Sequence, residues 1–437
     1  MKAYFYTFGC KVNQYETENI KQNFKRKGFE VTDNIIEADV CVINSCTVTS
    51  MSDKKNRQLI HKIKKESPDC ITVLTGCFPQ AFEDEAEKIS EIDIITGSGN
   101  KNDIPQLLEE FLNHHKKIVR IAPHTKEEQF EPMKNTENIE KTRAYIKIED
   151  GCDQYCTYCI IPYARGHIRS KPLEELKEEL LGLAESGHRE VVLVGINLSS
   201  YGKDLGCRLI DAIETACSID SIERVRLGSL EPELISDEDI LRMSSQKKLC
   251  PQFHLSLQSG CDNTLKDMNR KYNTAEYFEI VRKLREAFDN CSITTDVMVG
   301  FPNESEDDFN ESLEFVRKVG FAKVHIFPYS KREGTVAAKR SGQLSKSVKN
   351  ERVKKMTEVT SKSQTEFLKN QIGKVVPVLF EAESTANFHQ GYSQNYTLVK
   401  INRENSYKSL RRMIFYVKIN KQENDYCIGE LLTKLKE

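Results

Sequence analysis

Cysteine is the residue type whose spacing most clearly indicates chemistry, with fourteen in a chain of 437 residues. Cys152, Cys156 and Cys159 stand in "CDQYCTYC", a C-x3-C-x2-C arrangement directly after a predicted strand. Three thiolates this close on one loop can hold three irons of a cubane cluster and leave the fourth iron without a protein thiolate. Zinc is an alternative, but no second cysteine pair or histidine follows at finger spacing. Three unrelated cysteines are the other alternative.

A second set of cysteines follows three predicted strands of the N-terminal region. Cys10 comes after "AYFYTF", Cys46 after "ADVCVIN" and Cys77 after "CITVLTG". Because the carboxyl ends of parallel strands meet at one edge of a sheet, we expect these thiols to converge. They predict a second cluster with three protein ligands and one open iron. The alternative is that loop cysteines stand there by chance.

The other eight cysteines show no ligand spacing. Cys41 lies inside a predicted strand and is expected in the core. For the rest, burial is the expected explanation: Cys70, Cys207, Cys217, Cys250, Cys261, Cys291 and Cys427. Disulfides are not expected, since the chain shows no sign of export to an oxidising compartment.

The composition is that of a globular protein of two or three domains. Charged residues make up 30% and hydrophobic residues 38%, with a formal net charge of −2. No apolar run reaches the roughly 18 residues that span a bilayer. The start, "MKAYFYTFG", lacks the features of a signal peptide. We therefore expect a cytoplasmic protein without membrane contact, and any nucleic-acid footprint must be local.

The elements that must position the cysteines form an α/β pattern in three parts. Residues 1–119 alternate strands with amphipathic helices and predict a doubly wound parallel-sheet domain. Residues 120–142 are polar and predict a linker across the surface. Residues 143–371 contain six strand–helix units followed by a helical bridge. Six units are too few for a closed eight-stranded barrel, so an open, partial barrel is expected, with a second doubly wound sheet as the alternative. Residues 372–437 predict a small all-β barrel.

Several blocks of sequence resemble one family throughout the chain. "CDQYCTYCIIPYARG" resembles the cluster loop of radical S-adenosylmethionine methylthiotransferases. "VVLVGINLSSYG", "LGSLEPELI", "HLSLQSGCDNTLKDMNRKY", "TTDVMVGFPNESEDDF" and "HIFPYSKREGTVAA" resemble its other blocks in the same order. The N-terminal part resembles the auxiliary-cluster domain, and the C-terminal part resembles a TRAM domain, an RNA-binding barrel. "FGCKVNQYETE" is similar to the branch acting on threonylcarbamoyl-adenosine; the segment "RENSYKSLRRM" does not align with the family.

The resemblance implies a tRNA modification enzyme with two 4Fe–4S clusters and S-adenosylmethionine. The implied reaction replaces the C2 hydrogen of threonylcarbamoyl-adenosine 37, in the anticodon loop, with a methylthio group. That hydrogen is not usefully acidic, so acid–base catalysis cannot easily begin and a radical cofactor carries the hard step. One S-adenosylmethionine is expected to donate a methyl group and another to supply the radical. An external electron donor and a sulfur source are also expected, and the two clusters should face one cavity.

The resemblance places S-adenosylmethionine in the central domain. Asn197 and Glu231 end predicted strands and are candidates to bind its methionine or ribose groups, with loop capping as the alternative. Arg270 and Asp296 are further candidates. Tyr158, inside the cysteine loop, is a candidate to pack the adenine, with plain packing as the alternative.

A basic segment near the C-terminus is the candidate RNA contact. Residues 400–421 contain seven Lys or Arg against one acid, Glu404, with Tyr407, Phe415 and Tyr416 among them. Basic residues with interleaved aromatics suit phosphate neutralisation and base stacking. A solvated strand face with core aromatics is the alternative.

Two other functions compete with this interpretation. The same chemistry on isopentenyl-adenosine or on a ribosomal protein is one, and Lys11-Val12-Asn13 argues against it through the resemblance. A non-catalytic iron–sulfur protein is the other. Two triads that each leave an iron open argue against it, because electron carriers normally close every site with protein ligands.

Overall fold

The computed structural model describes residues 1–136, 141–381, 387–403 and 409–434, with the side chains of 433 and 434 excepted. It contains three packed parts: an N-terminal parallel sheet, a central partial barrel and a small closed β-barrel. The predicted α/β fold class is therefore confirmed. Glu404, Tyr407 and Lys408 of the basic segment lie outside the described residues.

The N-terminal part is a six-stranded sheet in which every pairing is parallel. Its strands are β1 Lys2–Thr7, β2 Glu30–Val31, β3 Val40–Ser45, β4 Ile71–Gly76, β5 Ile94–Thr96 and β6 Ile118–Arg120. Its helices are α1 Lys11–Arg26, α2 Ser50–Glu66, α3 Cys77–Ala81, α4 Glu83–Glu87 and α5 Ile104–His114. The order β2-β1-β3-β4-β5-β6 reverses direction between β1 and β3, which is where open α/β sheets bind ligands.

Both faces of this sheet are covered, as a doubly wound sheet requires. On β3, Cys41 and Ile43 pack with Ile60 of α2, whereas Val42 faces Phe24 of α1 on the other side. Alternation along a strand sends successive side chains to opposite faces, and here both faces are apolar. Cys41 is completely buried, as expected.

The central part is an open parallel barrel. Its strands are β7 Ala144–Lys147, β8 Glu149–Asp150, β9 Arg169–Ser170, β10 Glu190–Val194, β11 Arg224–Leu227, β12 Ser229–Leu230, β13 Gln252–Leu255, β14 Ser292–Val299 and β15 Lys323–Pro328. Its helices are α6 Ile161–Arg165, α7 Leu173–Glu185, α8 Leu209–Cys217, α9 Asp237–Ser244, α10 Asp262–Asp267, α11 Thr274–Ala287, α12 Glu306–Val319, α13 Val336–Lys339 and α14 Lys346–Lys369.

The barrel strands run in the order β7-β10-β11, continuing as β12-β13-β14-β15, with parallel pairing throughout. β11 and β12 are separated only by Gly228 and act as one strand. The described barrel therefore has six parallel strand positions, as predicted. The short strands β8 and β9 pair only with each other, in antiparallel fashion. The largest core cluster lies between these strands and the surrounding helices.

The C-terminal barrel closes through five strands, in the order β16-β17-β18-β20-β19. They are β16 Val375–Phe380, β17 Phe388–Ser393, β18 Leu398–Asn402, β19 Ile414–Glu423 and β20 Tyr426–Lys434. The sequence indicates four of them but not β17, whose "FHQGYS" is too polar to read as a strand. The barrel sits against the central part, since Arg224 and Arg226 donate to the backbone carbonyls of Tyr392, Ser393 and Gln394.

The segment 120–142 differs from the expected surface linker. Met133 and Asn135 are 2% exposed. The carbonyl of Met133 accepts hydrogen bonds from Tyr15 and Lys171, and Asn135 donates to the carbonyl of Tyr15. Met133 and Asn135 thus provide hydrogen-bond partners to buried groups of both domains, a role that composition alone does not distinguish from solvation.

Candidate active site

The N-terminal cysteines stand at neighbouring ends of parallel strands. Cys10 precedes α1, Cys46 follows β3 and Cys77 begins α3. Cys10 is exposed, whereas Cys46 and Cys77 are buried. Burial and the nearby Cys77 raise the pKa of Cys46 to about 12. The structure thus brings together the three thiols that the strand pattern placed on one edge.

Two glycines make this approach possible. Gly9 has φ +98°, and a Cβ on it would stand 2.7 Å from Cβ of Cys46 and 2.9 Å from its Sγ. Gly76 has φ +101°, and a Cβ there would meet the backbone oxygen of Ser45 at 2.6 Å. Only glycine tolerates both the left-handed backbone and the contact. The Gly-Cys pairs in "FGC" and "TGC" were the sequence signal for this geometry.

Asn13 ties the first two cysteine loops together. Its Nδ2 donates to the carbonyls of Phe8 (2.8 Å) and Ser45 (3.0 Å), and its Oδ1 lies 3.7 Å from Sγ of Cys10. Sequence reasoning assigned no role to Asn13. Its spacing of three from Cys10, on one face of a helix, was the available signal.

The central cysteines lie on one loop between β8 and α6, and neighbouring segments clamp that loop. The amide of Thr157 donates to the carbonyl of Met268 at 3.0 Å, and its own carbonyl accepts from Ala337 at 2.8 Å. Burial raises the pKa of Cys152, Cys156 and Cys159, in the last case to about 12. Asn197 places its Nδ2 3.8 Å from Sγ of Cys152.

Each triad has one arginine that donates to one sulfur. Arg270 points Nη1 at Sγ of Cys156 (3.3 Å), and Arg165 points Nε at Sγ of Cys77 (3.2 Å). Guanidinium groups only donate, so these contacts favour the thiolate, which is the form that ligates iron. The donor set of both triads therefore fits a cluster with three protein ligands.

Arg165 also joins the two cysteine regions. It ends α6, which starts two residues after Cys159, and its side chain is completely buried. It reaches into the N-terminal domain to Glu16 and Asn13 and also contacts Asp150. Burial alone would raise the pKa of Glu16, but Arg165, Lys101 and Lys147 outweigh it and hold that pKa below its usual range. No pattern in the sequence indicates this buried pairing.

The candidate cofactor residues fall into two places. Glu231 forms an ion pair with Arg270, and neither Glu231 nor Asn197 uses its side chain to cap the 3₁₀ turn that follows it. Asn197 Oδ1 is buried with no hydrogen-bond partner among the described residues, as a group awaiting a ligand would be. Capping is therefore not what these two side chains do.

Tyr158 and Asp296 have different surroundings from Asn197 and Glu231. Tyr158 packs with Met268, Phe301, Tyr329 and Ala337, and its contact with the adenine stays a prediction. Asp296 lies on β14, where its Oδ2 is 3.5 Å from Nε2 of His254, and no hydrogen bond or ion pair joins its side chain to the described cysteine loop.

The basic segment is divided between core and surface. Phe415 packs against the core of the C-terminal barrel, as the alternative interpretation expected. Tyr416 is 37% exposed and Lys418 is exposed, two positions apart on β19. Within the described part of the segment these exposed residues are available to RNA, and the contact itself stays a prediction.

The partial parallel barrel with a C-x3-C-x2-C loop after its first strands agrees with the resemblance to radical S-adenosylmethionine enzymes. Residues 146–316 match the Radical SAM superfamily, and residues 2–97 match Uncharacterized protein family UPF0004. The methyltransferase TsrM from Kitasatospora setae, a radical S-adenosylmethionine enzyme, shares the fold, with a TM-score of 0.57 and 12% identity over 77% of this chain and 74% of that one. Among the described helices, none combines the length and apolarity needed to cross a membrane.

Two curated relatives define the family more narrowly. Threonylcarbamoyladenosine tRNA methylthiotransferase MtaB of Aquifex aeolicus (strain VF5) is 38% identical over 408 residues, 92% of this chain and 100% of that protein. tRNA-2-methylthio-N(6)-dimethylallyladenosine synthase of Thermoanaerobacter sp. (strain X514) is 38% identical over 387 residues, 86% of this chain and 82% of that protein. The chain belongs to the family of radical S-adenosylmethionine tRNA methylthiotransferases. Its cofactors are S-adenosylmethionine and 4Fe–4S clusters.

Proposed function

We propose that the protein methylthiolates C2 of N6-threonylcarbamoyladenosine at position 37 of tRNA, in the cytoplasm. The observation that carries the proposal is the match to MtaB of Aquifex aeolicus over that protein's whole length. Identity alone does not separate the two substrate classes, since the Thermoanaerobacter synthase is equally identical over a smaller share of its length.

In this proposal each domain has one task. Residues 1–119 hold the auxiliary cluster, residues 143–371 hold the radical cluster and S-adenosylmethionine, and residues 372–437 contact the anticodon loop. Segment 120–142 joins the first two. The described outward positions of Tyr416 and Lys418 support the last assignment.

In this proposal the residues of the chain itself bind the two clusters and orient the cofactor. Cys10, Cys46 and Cys77 would hold one cluster, and Cys152, Cys156 and Cys159 the other. When bound, the clusters and S-adenosylmethionine supply the methyl, sulfur and radical chemistry that side chains alone cannot supply.

Four side chains support this arrangement. Arg165 and Arg270 stabilise ligand thiolates by donating to them. The free Oδ1 of Asn197 can accept a hydrogen bond from an ammonium or hydroxyl group of S-adenosylmethionine. Glu231 keeps Arg270 in place through their ion pair. An external reductant and a sulfur source complete the proposal.

Nucleoside mass spectrometry of tRNA from a strain lacking the gene tests the substrate. We expect the methylthio-threonylcarbamoyl nucleoside to disappear and its precursor without the methylthio group to accumulate. Wild-type protein should restore the product, and the matched Cys152→Ala protein should not. Loss of the methylthio-dimethylallyl nucleoside instead would reassign the enzyme to the second substrate class.

A further inference from the structure

A cavity of about 460 Å³ lies inside the partial barrel. The strands contribute His254, Asp296 and His325 to its wall, α1 contributes Lys11, and the C-terminal barrel contributes residues around Tyr396. All three domains therefore surround one space, in which a group carried by the RNA would meet residues from each of them.

Lys11, an exposed residue, lines this cavity from the N-terminal domain. It is the first residue of α1, and the next residue, Val12, packs on Val192 and Val194 of β10. Among the described residues the Lys11 ammonium forms no ion pair, and it lies 6.0 Å from the centroid of the Tyr145 ring.

The position of Lys11 does not serve stability. A cation in the first turn faces the positive end of the helix dipole, which disfavours it, and no acidic residue in that turn offsets the effect. A lysine without an ion-pair partner, set in a cavity wall at some cost to the helix, is placed to bind an anion.

Other polar groups line the same cavity. His254 and His325 each place a ring nitrogen, and Asp296 places a carboxylate oxygen, within 4.8 Å of one another. Nδ1 of His254 is 3.0 Å from Oγ1 of Thr294. The remaining charged residues in the wall are Arg226, which pairs with Glu190 at 3.0 Å, and the exposed Lys323 and Asp425. The cavity thus offers a free cation together with a carboxylate and two imidazoles.

We propose that Lys11 binds the carboxylate of the threonylcarbamoyl group and thereby determines substrate specificity. Asp296 and the two histidines pair with the hydroxyl and N–H groups of the same substituent. This inference rests on the proposed function and goes beyond it by naming the recognition site. An apolar dimethylallyl group would leave these polar side chains unpaired, which is the strongest form of discrimination a binding site achieves. Because Lys11 follows Cys10, the bound group lies beside the N-terminal triad.

The test is a binding comparison on cluster-loaded enzyme with two synthetic anticodon stem-loops. One carries N6-threonylcarbamoyladenosine at position 37 and the other carries adenosine. We expect wild-type enzyme to bind the modified RNA about tenfold more tightly or better, as a charge-assisted hydrogen bond allows. Lys11→Gln should bind the unmodified RNA like wild type and lose most of that preference.

The control is Lys25→Gln, which removes the same charge from an exposed position on the same helix. It should keep the preference. Iron content and melting temperature should match wild type in both variants, and Lys11→Gln should melt no lower because it removes an unfavourable cation.

A Lys11→Gln enzyme that keeps the full preference, or a wild type that methylthiolates the modified stem-loop without preferring it in binding, overturns the inference alone. A wild type that does not methylthiolate the modified stem-loop overturns the proposed function and the inference together.

Discussion

The two cysteine triads have the same donor set but are positioned in opposite ways. Cys152, Cys156 and Cys159 share one loop, so their proximity is local and neighbouring segments need only clamp it. Cys10, Cys46 and Cys77 are separated by dozens of residues and meet only because β1, β3 and β4 are adjacent and parallel. The position of the first set, the local triad, therefore depends on spacing along the chain. The position of the second set, the dispersed triad, depends on an intact sheet.

The arginines sharpen the contrast. Arg270 pairs with Glu231 inside its own barrel, whereas Arg165 comes from the central domain and pairs with Glu16 of the other domain. The local triad is supported by its own domain. The dispersed triad takes part of its support from across the domain boundary, which couples cluster geometry to domain packing.

The largest expected effect comes from removing the local triad. Cys152→Ala/Cys156→Ala/Cys159→Ala should abolish both S-adenosylmethionine cleavage and methylthiolation, and reconstituted iron should fall from about eight to about four per chain. Iron analysis and cleavage assays measure this. Cys217→Ala, which removes a thiol with no proposed ligand role, is the control. Full iron content in the triple variant would contradict the assignment.

Removing the dispersed triad should separate the two chemistries. Cys10→Ala/Cys46→Ala/Cys77→Ala should also retain about four irons but still cleave S-adenosylmethionine, since the local triad is intact. Methylthiolated RNA should be absent. The local-triad variant is the reciprocal control, and a dispersed-triad variant that still transfers a methylthio group would remove the distinction between the two sites.

Arg165→Met tests the support across the boundary. It removes one of the buried cations around Glu16 and Asp150, which keep Lys147, and it also removes the donor to Asn13 and Cys77. We expect a loss of about 3–5 kcal/mol in stability, measured by thermal and denaturant unfolding. Arg57→Met is the matched control because its pair with Glu85 is 44% and 43% exposed, and it should cost at most about 1 kcal/mol. An equal loss of stability in the two variants would show that the buried ion pair contributes no more than an exposed one.

Asn13→Ala should give a smaller loss confined to the dispersed triad. Two backbone carbonyls and Arg165 lose their partner, which costs about 1–3 kcal/mol. The iron of the dispersed triad should dissociate faster in chelator, while that of the local triad is unchanged. Asn23→Ala, on the surface of the same helix, is expected to change neither rate. Equal release from both clusters would contradict the role of Asn13.

Acidification should have the smallest effect on stability, and it should act through the buried ion pairs of Arg165 with Glu16 and Asp150. Glu16 and Asp150 have lowered pKa values, since their cationic neighbours outweigh the effect of burial. A lowered carboxyl pKa contributes stability above the unfolded value, near 4, and loses it as pH falls further. Melting temperature should therefore drop on acidification below about pH 4 and drop less in Arg165→Met. The same drop in both proteins would place the acid-sensitive group elsewhere.

Much of the fold was predictable because its signals are local. The βα alternation, the six barrel strands and the α1 region all follow from hydrophobic periodicity, and the C-x3-C-x2-C spacing needs no tertiary information. β17 was missed because "FHQGYS" pairs between two neighbours in a barrel, where tertiary context outweighs composition. The burial of Met133 and Asn135 was missed for a related reason, since a polar segment satisfying buried partners looks like a solvated one.

The sequence by itself was enough to predict that Cys152, Cys156 and Cys159 lie close together. It also placed Cys10, Cys46 and Cys77 at the ends of strands, two of them directly after a glycine. Only the tertiary structure decided what surrounds them. It paired Arg165 with Glu16, set Asp296 beside His254, and placed Lys11 in a cavity walled by three domains. The physical reason is range: spacing fixes what neighbours in the chain can do, whereas buried charge pairs and cavities exist only where distant segments pack.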